Sequence, residues 1–165
     1  MASASSAEIT AREALVQAYI EAWNLLDPDA VVAFFATDAE YDDRGAGVIC
    51  RGILEIHAHV KAVASGFPDL RFELVRTAHG IGFSAAEWTA TMTHQGEFEG
   101  VPATGRRVET SGIDVATLDE RGQVTELVSY YDGAGIMRQL GLLPARRSRL
   151  ERALMRAASV LPRGS

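Results

Sequence analysis

A connection between two strand-like runs is rich in glycine and reads Gly96-Glu97-Phe98-Glu99-Gly100-Val101-Pro102-Ala103-Thr104-Gly105-Arg106-Arg107-Val108. Three glycines and a proline over this distance predict a turn that joins two strands. The run before the turn ends at His94, and the run after it carries Asp114 between two apolar residues. On neighbouring strands, this histidine and this acid would both face whatever the sheet encloses.

The chain before residue 67 has the repeat of amphipathic helices, with apolar residues three to four positions apart. Ser5 and Glu8 have the spacing of a capping box, and Asp27-Pro28 has the order of an N-cap followed by proline at the first helical position. This part of the sequence predicts helices over residues 11–26, 28–35 and 53–64, with one short strand over residues 39–42.

The period changes to alternation after the turn Phe67-Pro68-Asp69. The pattern predicts strands over residues 70–78, 81–95, 106–118 and 123–131, and a short helix after Asp132-Gly133. The long second strand has separated faces: Trp88, Ala90, Met92 and His94 on one, and Glu87, Thr89, Thr91 and Thr93 on the other. Helices followed by antiparallel strands predict an α+β fold, in which a strongly curved sheet packs against helices and encloses a pocket.

Composition predicts one domain with a sizeable core, since the chain has 165 residues, of which 47% are hydrophobic and 23% charged. No apolar run reaches the roughly 20 residues that cross a bilayer, so we expect no membrane partner. The N-terminus lacks the pattern of a signal peptide and the single cysteine, Cys50, fits a reducing compartment, which together predict a cytoplasmic protein.

Charge divides the chain into a cone-shaped body, residues 1–143, and a basic helical extension, residues 144–165. The last 21 residues hold six arginines and one acid, Glu151, and therefore carry a charge of +5. Since the net charge of the chain is −6, the first 144 residues carry −11. An acidic body argues against a nucleic-acid partner. We expect the extension to form an amphipathic helix on the protein's own acidic surface or on a partner subunit. The final residues, 160–165, resemble the remnant of a protease-cleavable tag and carry no functional inference.

Two acids are candidates for proton transfer. Asp114 lies mid-strand between Ile113 and Val115, where a carboxylate is rare unless it is paired or functional, and burial would raise its pKa toward neutrality. The pattern of alternating residues in this strand does not decide whether Asp114 faces the interior or the solvent, and both positions stay equally open. Asp43 ends the first short strand next to Asp42, a pattern that is more often a solvated turn.

The other polar candidates have structural alternatives. His94 shares a face with apolar residues, as a hydrogen-bonded core histidine would. His57 and His59 stand two apart on a helix and point in different directions, so we predict no metal site. Tyr19 has the position of a core residue, but its hydroxyl needs a partner if it is buried. Neither a dinucleotide nor a P-loop motif occurs, and we predict no cofactor.

Several motifs together resemble those of the SnoaL-like polyketide cyclases, in the wider family that includes ketosteroid isomerase and nuclear transport factor 2. They are Phe67-Pro68-Asp69-Leu70-Arg71-Phe72, the segment from Thr93 to Arg106, Gly112-Ile113-Asp114 and Arg138-Gln139-Leu140-Gly141. The resemblance covers about residues 10–143. It implies a cone of a curved sheet and three helices, with a deep apolar pocket, usually in a dimer or higher oligomer, and we expect a homodimer.

The resemblance to ketosteroid isomerase also implies roles for three residues. The segment from Ala18 to Asn24 matches that of the oxyanion-hole tyrosine, which places Tyr19 in that role. The match continues to Asp43 at the position of the base, and Ile113-Asp114 matches the pair that contains the protonated aspartate. In the polyketide cyclases this last aspartate is the general acid or base. We expect Trp88, Ala90, Met92, Gly112 and Tyr131 to bind the substrate.

The chain departs from the cyclase pattern in its last strand. Many members have Glu-His-Trp where this sequence has Glu126-Leu127-Val128. The function that we expect is ring closure in an apolar, carbonyl-rich, polyketide-like small molecule, by enolate formation and intramolecular aldol-type attack. The departure keeps alternatives open: a pocket that templates cycloaddition of a polyene or isomerises a double bond, or a binding module without catalysis. Their common feature is the pocket, and they differ in whether Asp43 and Asp114 move protons.

Overall fold

A computed structural model describes residues 6–160; Ser5 of the predicted capping box and the tag-like residues 161–165 lie outside the described residues. The helices are α1 (Ser6–Asn24), α2 (Pro28–Val32), α3 (Gly52–Gly66), α4 (Gly133–Gln139) and α5 (Arg149–Val160). The strands are β1 (Phe35–Asp43), β2 (Val48–Arg51), β3 (Arg71–Gly80), β4 (Phe83–Thr93), β5 (Arg107–Leu118) and β6 (Val124–Tyr131).

The six strands form one curled sheet in the order β2-β1-β6-β5-β4-β3. All neighbours are antiparallel except β1 and β6, which are parallel. Helix α1 packs against β3 and β4, and α3 packs against β1 and β2. This architecture confirms the predicted α+β class with a curved, mostly antiparallel sheet against N-terminal helices.

The burial of β4 confirms the predicted separation of its faces. Trp88, Ala90 and Met92 are all at most 8% exposed, and His94, just beyond the strand, is fully buried. Thr89, on the opposite face, is exposed. Alternation therefore placed four inward-facing side chains correctly, because a strand with one buried face fixes its register.

The first strand and its hairpin partner differ from the prediction. Strand β1 begins at Phe35, where the pattern predicted helix, because the Phe35 side chain is buried in the core and its backbone pairs with Val124 of β6. Strand β2 was missed: it has four residues and follows Gly47, whose φ of 74° closes the hairpin. The start of β1 and the whole of β2 depend on pairing with other strands, which the local periodicity of the sequence does not reveal.

The glycine-rich connection after β4 is fastened at both ends. The backbone N–H of His94 donates to the carbonyl of Arg106 over 3.0 Å, and that of Gly105 donates to the carbonyl of His94 over 2.9 Å. The N–H of Gly96 donates to the carbonyl of Gly66 at the end of α3. A Cβ on Gly96 would lie 2.1 Å from the carbonyl oxygen of Ser65, so this contact requires glycine. The connection thus ties the sheet to α3.

The basic extension is helical, as predicted. An ion pair between Arg138 and Glu151 joins α5 to α4, with 3.3 Å between its atoms. Leu150, Leu154 and Met155 are more than half exposed, so α5 does not pack its apolar side on the body of its own chain. Among residues 6–160, no helix combines the length and the apolar character that crossing a membrane needs.

Candidate active site

The curled sheet, α3, α4 and the connection after β4 enclose a cavity of about 340 Å³. Its walls are mainly apolar and aromatic, with a few polar side chains among them. Seven of the nine residues that the sequence predicted for the site line it: Asp43, Trp88, Ala90, Met92, His94, Asp114 and Tyr131. Tyr19 and Gly112 do not.

Three polar residues stand in one row across the strands beneath the cavity. In the register of the sheet, Asp43 of β1 pairs with Ser129 of β6, and Ser129 pairs with Asp114 of β5. Residues that are paired across strands share one face, and all three line the cavity. Two strand spacings place the Cα atoms of the two aspartates roughly 10 Å apart.

Asp114 is held by two hydrogen bonds at its Oδ1 atom. Ser129 Oγ donates to it over 2.7 Å, and the Trp88 indole Nε1 donates over 3.0 Å. Burial nevertheless raises the pKa of Asp114 to about 6; the two hydrogen bonds lower it, and the neighbouring Asp43 charge raises it further. A carboxyl group with this pKa exchanges protons close to neutral pH, as a general acid or base must.

Ser129 links Asp114 to Tyr41. The oxygen atoms of the Ser129 and Tyr41 hydroxyls lie 3.2 Å apart. A serine hydroxyl has one proton, so while Ser129 donates to the Asp114 carboxylate, Tyr41 donates to Ser129. Burial raises the pKa of Tyr41 well above its ordinary value, with the Asp43 charge as the next cause, and the phenol therefore keeps its proton.

Asp43 has a separate set of partners. Its Oδ1 accepts from the backbone N–H of Ala46 over 3.0 Å, which caps the turn after β1. Its Oδ2 lies 3.1 Å from His59 Nε2, and both side chains are only 6% exposed. The sequence alternative of a solvated turn is therefore wrong for Asp43, although it describes Asp42, which forms an ion pair with Arg44 near the surface.

Tyr131 reaches the cavity from the end of β6. Its pKa is raised by burial, then by the Asp43 charge and a hydrogen bond to Asp43, and then by the Asp114 charge, so the phenol stays protonated. Its ring packs so closely on the turn after β1 that a Cβ on Gly45 would lie 2.2 Å from it. This glycine therefore positions a cavity wall.

His94 has one ring nitrogen in use and one free. The backbone N–H of Thr104 donates to Nδ1 over 3.3 Å, and the ring packs on Phe67 at 5.2 Å between centroids. Because Nδ1 accepts, the neutral ring carries its proton on Nε2. His94 Nε2 is buried without a hydrogen-bond partner, and the residue lines the cavity, so a ligand oxygen there would find an unused donor.

Tyr19 lies behind the row of polar residues. It borders a second cavity of about 40 Å³, which Asp114 also lines, and its hydroxyl is buried without a partner. Its ring packs edge-on against Phe34 at 5.5 Å. The structure therefore brings Tyr19 to the reverse side of Asp114 and keeps it out of the larger cavity, so the expected oxyanion role stays a prediction.

Gly112 makes room for an aromatic wall and does not itself line the cavity. A Cβ at this position would lie 2.4 Å from the Trp88 ring and 2.7 Å from the carbonyl oxygen of Tyr130. Only glycine allows Trp88 to lie across β5, where its indole reaches Asp114. The contribution of Gly112 to the site is therefore indirect.

His59 and Ser129 are among the site residues that sequence reasoning missed. The sequence analysis considered His59 only as a possible metal ligand with His57. In the structure it lies on the buried side of α3 with Ile56 and Val60. The helical spacing from these apolar residues was the signal that could have identified it as buried. Ser129 alternates with Tyr131 in β6, which puts it on the inner face. Neither signal identifies the partner, because Asp43 and Asp114 are supplied by other strands.

The arrangement suits proton transfer on an uncharged molecule. Among residues 6–160, no arginine or lysine lines the larger cavity, whereas Asp43, Glu99 and Asp114 do. The same residues contain no group of three or more His, Cys, Asp and Glu side chains placed to hold a metal ion. The polar groups that line the cavity include carboxyl, imidazole, phenol and hydroxyl groups.

A family model described as SnoaL-like polyketide cyclase matches residues 13–140. The chain belongs to the SnoaL-like polyketide cyclase family. The match spans the whole sheet together with α2, α3 and α4. It includes every residue of the row across β1, β6 and β5, so the cavity described above is the pocket of a SnoaL-like domain. No curated protein sequence matches the chain significantly.

Solved structures show the same fold. AclR from Streptomyces galilaeus, a candidate hydroxylase, is 25% identical, with 91% of this chain and 93% of AclR covered and a TM-score of 0.73. TsrD from Streptomyces laurentii is 25% identical, with 81% and 97% covered and a TM-score of 0.71. A candidate SnoaL-like polyketide cyclase from Jannaschia sp. CCS1 is 21% identical, with 87% and 100% covered and a TM-score of 0.74, and supports the fold alone.

Proposed function

We propose that this SnoaL-like protein closes a ring in an apolar, carbonyl-rich polyketide by enolate formation and intramolecular aldol-type attack. The observation that carries the proposal is Asp114. It faces a mainly apolar cavity, accepts hydrogen bonds from Ser129 and Trp88, and has a pKa near 6 because of burial. A cavity with acid–base groups, and without an arginine or lysine among the described residues that line it, suits a neutral substrate that must lose and regain protons.

In the proposed reaction, the Asp114 carboxylate removes a proton from a carbon next to a carbonyl group. The electron pair of the broken C–H bond forms the enolate, and its negative charge moves to oxygen. The enolate carbon then attacks a second carbonyl carbon of the same molecule, which forms the C–C bond of the ring and leaves an alkoxide. Proton transfer to that oxygen gives the product. Positioned acid–base groups typically accelerate such steps by about 10²–10⁴-fold.

Hydrogen-bond donors in the cavity would stabilise the enolate oxygen. Tyr131 keeps its phenolic proton and lines the same cavity as Asp114. His94 offers an unused Nε2–H from another wall and would orient the substrate through a carbonyl or product oxygen. Donors aimed at developing negative charge in a water-poor site are worth several kcal/mol of barrier, about 3 or 4 for one donor.

The apolar walls would hold the chain folded for attack. Phe72 contacts Trp88 edge-on at 5.0 Å between centroids, and Trp88 contacts Tyr131 at 6.0 Å, so three rings form a continuous surface. Orientation of two reacting groups within one molecule can remove roughly 7–11 kcal/mol of the barrier. The fixed shape of this surface would decide which carbonyl the enolate meets.

The test is turnover of linear and partly cyclised polyketide intermediates by wild type and Asp114→Asn. Asparagine keeps an acceptor for Ser129 and Trp88 but cannot take a proton, so we expect a loss of about 10²-fold or more in kcat. Asp38→Asn is the matched control, since Asp38 is exposed on β1. Unchanged turnover by Asp114→Asn would contradict the proposed chemistry.

A second candidate function is supported by Leu127. This side chain is 2% exposed, lies in the last strand, where many cyclases have histidine, and borders the smaller cavity together with Asp114. Leucine at this position leaves one proton-transferring group fewer beside Asp114, which favours a pocket that templates a cycloaddition by shape. In that case Asp114→Asn would lower the rate only several-fold, whereas a bulky substitution in the cavity would abolish it.

A further inference from the structure

The pair formed by His59 and Asp43 is not used by the reaction as proposed above. Both side chains are 6% exposed, their atoms lie 3.1 Å apart, and both residues line the cavity. Burial of an acid–base pair generally contributes little to stability, because desolvation offsets the attraction between its members. The pair has different hydrogen-bond partners from Asp114, which is bound by Ser129 and Trp88, although the Asp43 charge acts on Asp114.

Aldol closure moves two protons, one away from carbon and one to the oxygen of the acceptor carbonyl. A single carboxyl group can perform both transfers only in sequence. Two groups in different environments can act together, one as base and one as acid, while the C–C bond forms.

We propose that Asp43 and His59 form a second proton-transfer centre, which donates a proton to the oxygen of the acceptor carbonyl while Asp114 takes the proton from carbon. The inference rests on the proposed aldol reaction and adds an assignment of roles within it. Histidine is the side chain that gains and loses a proton nearest neutral pH, which suits it to this task. The row Asp43–Ser129–Asp114 sets the two centres on either side of one hydroxyl.

The protons balance over one turnover. Asp114 becomes protonated as the enolate forms. As the C–C bond forms, the π electrons of the acceptor carbonyl move to its oxygen, which takes a proton from the protonated pair, an imidazolium next to a carboxylate. The pair is left as imidazole and carboxylate. Asp114 then returns its proton to water, and the pair takes one from water.

The experiment separates enolisation from ring closure. The probe is a neutral, aryl-substituted 1,5-diketone that wild type cyclises, incubated in deuterium oxide. Deuterium at the carbon next to the carbonyl of recovered probe reports proton removal, and cyclic product reports closure. The variants are Asp114→Asn, Asp43→Asn and His59→Gln. In His59→Gln, the side-chain amide can still donate a hydrogen bond to Asp43, but it cannot act as an acid or a base. His57→Gln is the matched control, because His57 lies on the same helix but pairs with Asp29 near the surface.

We expect His59→Gln to keep deuterium exchange within about threefold of wild type and to lose closure by about 10²-fold or more. Asp114→Asn should lose both, and Asp43→Asn should behave like His59→Gln. His57→Gln should change neither. In His59→Ala, added imidazole should restore part of the closure rate.

The two proposals fail in different ways. If His59→Gln lowers exchange and closure equally, His59 has a structural role only, and the second centre is overturned. If His59→Gln matches wild type in both, the second centre is likewise overturned while the role of Asp114 stands. Exchange and closure at wild-type rates in Asp114→Asn would overturn the aldol reaction and this inference with it.

Discussion

Asp43 and Asp114 stand in the same row of the sheet, with Ser129 between them on the middle strand. The carboxyl groups share a cavity yet have different partners, since His59 contacts Asp43 and Trp88 contacts Asp114. Two acids in one pocket with unlike surroundings can take opposite roles in a proton-transfer reaction.

The rate should depend on pH through Asp114. Its pKa is raised to about 6 by burial, and it must be ionised to remove a proton. We expect kcat to fall about tenfold for each pH unit below about 6. Steady-state rates from acid to neutral pH measure this. A kcat that stays constant well below pH 6 would exclude Asp114 as the base.

Loss of a hydrogen bond to Asp114 should move that profile. Ser129→Ala removes the 2.7 Å bond to Oδ1, and Trp88→Phe removes the 3.0 Å bond. Both bonds lower the pKa of Asp114, so its pKa should rise in each variant. The acid limb of the profile, the range in which kcat falls with decreasing pH, should therefore move to higher pH by about one unit. Thr125→Ala on the same strand as Ser129 is the control, because Thr125 bonds to the Thr117 carbonyl. A limb that does not move would show that another group titrates.

Stability should respond to Asp114→Asn in a pH-dependent way. The folded pKa of about 6 exceeds the ordinary value of 3.8, so the folded state binds more protons between these values. Wild type should therefore lose up to about 3 kcal/mol from this group as the pH rises from about 4 to 7, and the variant should not. The difference in free energy of unfolding between the two proteins, from urea titrations at both pH values, measures this. An equal difference at both pH values would contradict it.

A larger side chain at Ala90 should block the cavity. Ala90 is 3% exposed and lines the wall of β4, so Ala90→Leu would place three more carbons in the space for substrate. We expect turnover of bulky substrates to fall by about 10²-fold or more, mainly through weaker binding. Thr89→Leu adds a similar group on the outer face of the same strand and should have little effect. Competitive binding of an apolar probe checks the mechanism.

Gly112→Ala should act differently, by moving Trp88. The added Cβ would lie 2.4 Å from the indole and 2.7 Å from the Tyr130 carbonyl oxygen, so strain of about 1–3 kcal/mol is expected. Displacement of the indole would break its bond to Asp114 and move the acid limb of kcat upward, as in Trp88→Phe. Tryptophan fluorescence and unfolding titrations measure both effects. A variant with native stability and fluorescence would contradict the tight contact.

The sequence predicted much of the architecture because the patterns were local. Alternation in β4 identified Trp88, Ala90, Met92 and His94 as inward-facing, and Asp27 was identified as a helix cap, which it is, through bonds from the N–H groups of Asp29 and Ala30. These features depend on the period of a single element or on a few neighbouring residues. The same reasoning could not decide the orientation of Asp114, since β5 does not alternate cleanly.

The tertiary structure alone decided which polar groups meet. Asp43, His59, Ser129 and Asp114 come from four different elements, β1, α3, β6 and β5. Their contacts depend on the parallel pairing of β1 with β6 and on α3 packing over β1, both of which join segments distant in the chain. Tyr19 shows the same limit, because only the packing of α1 puts it behind Asp114. Local sequence specifies the elements, whereas burial and pairing between distant elements specify the site.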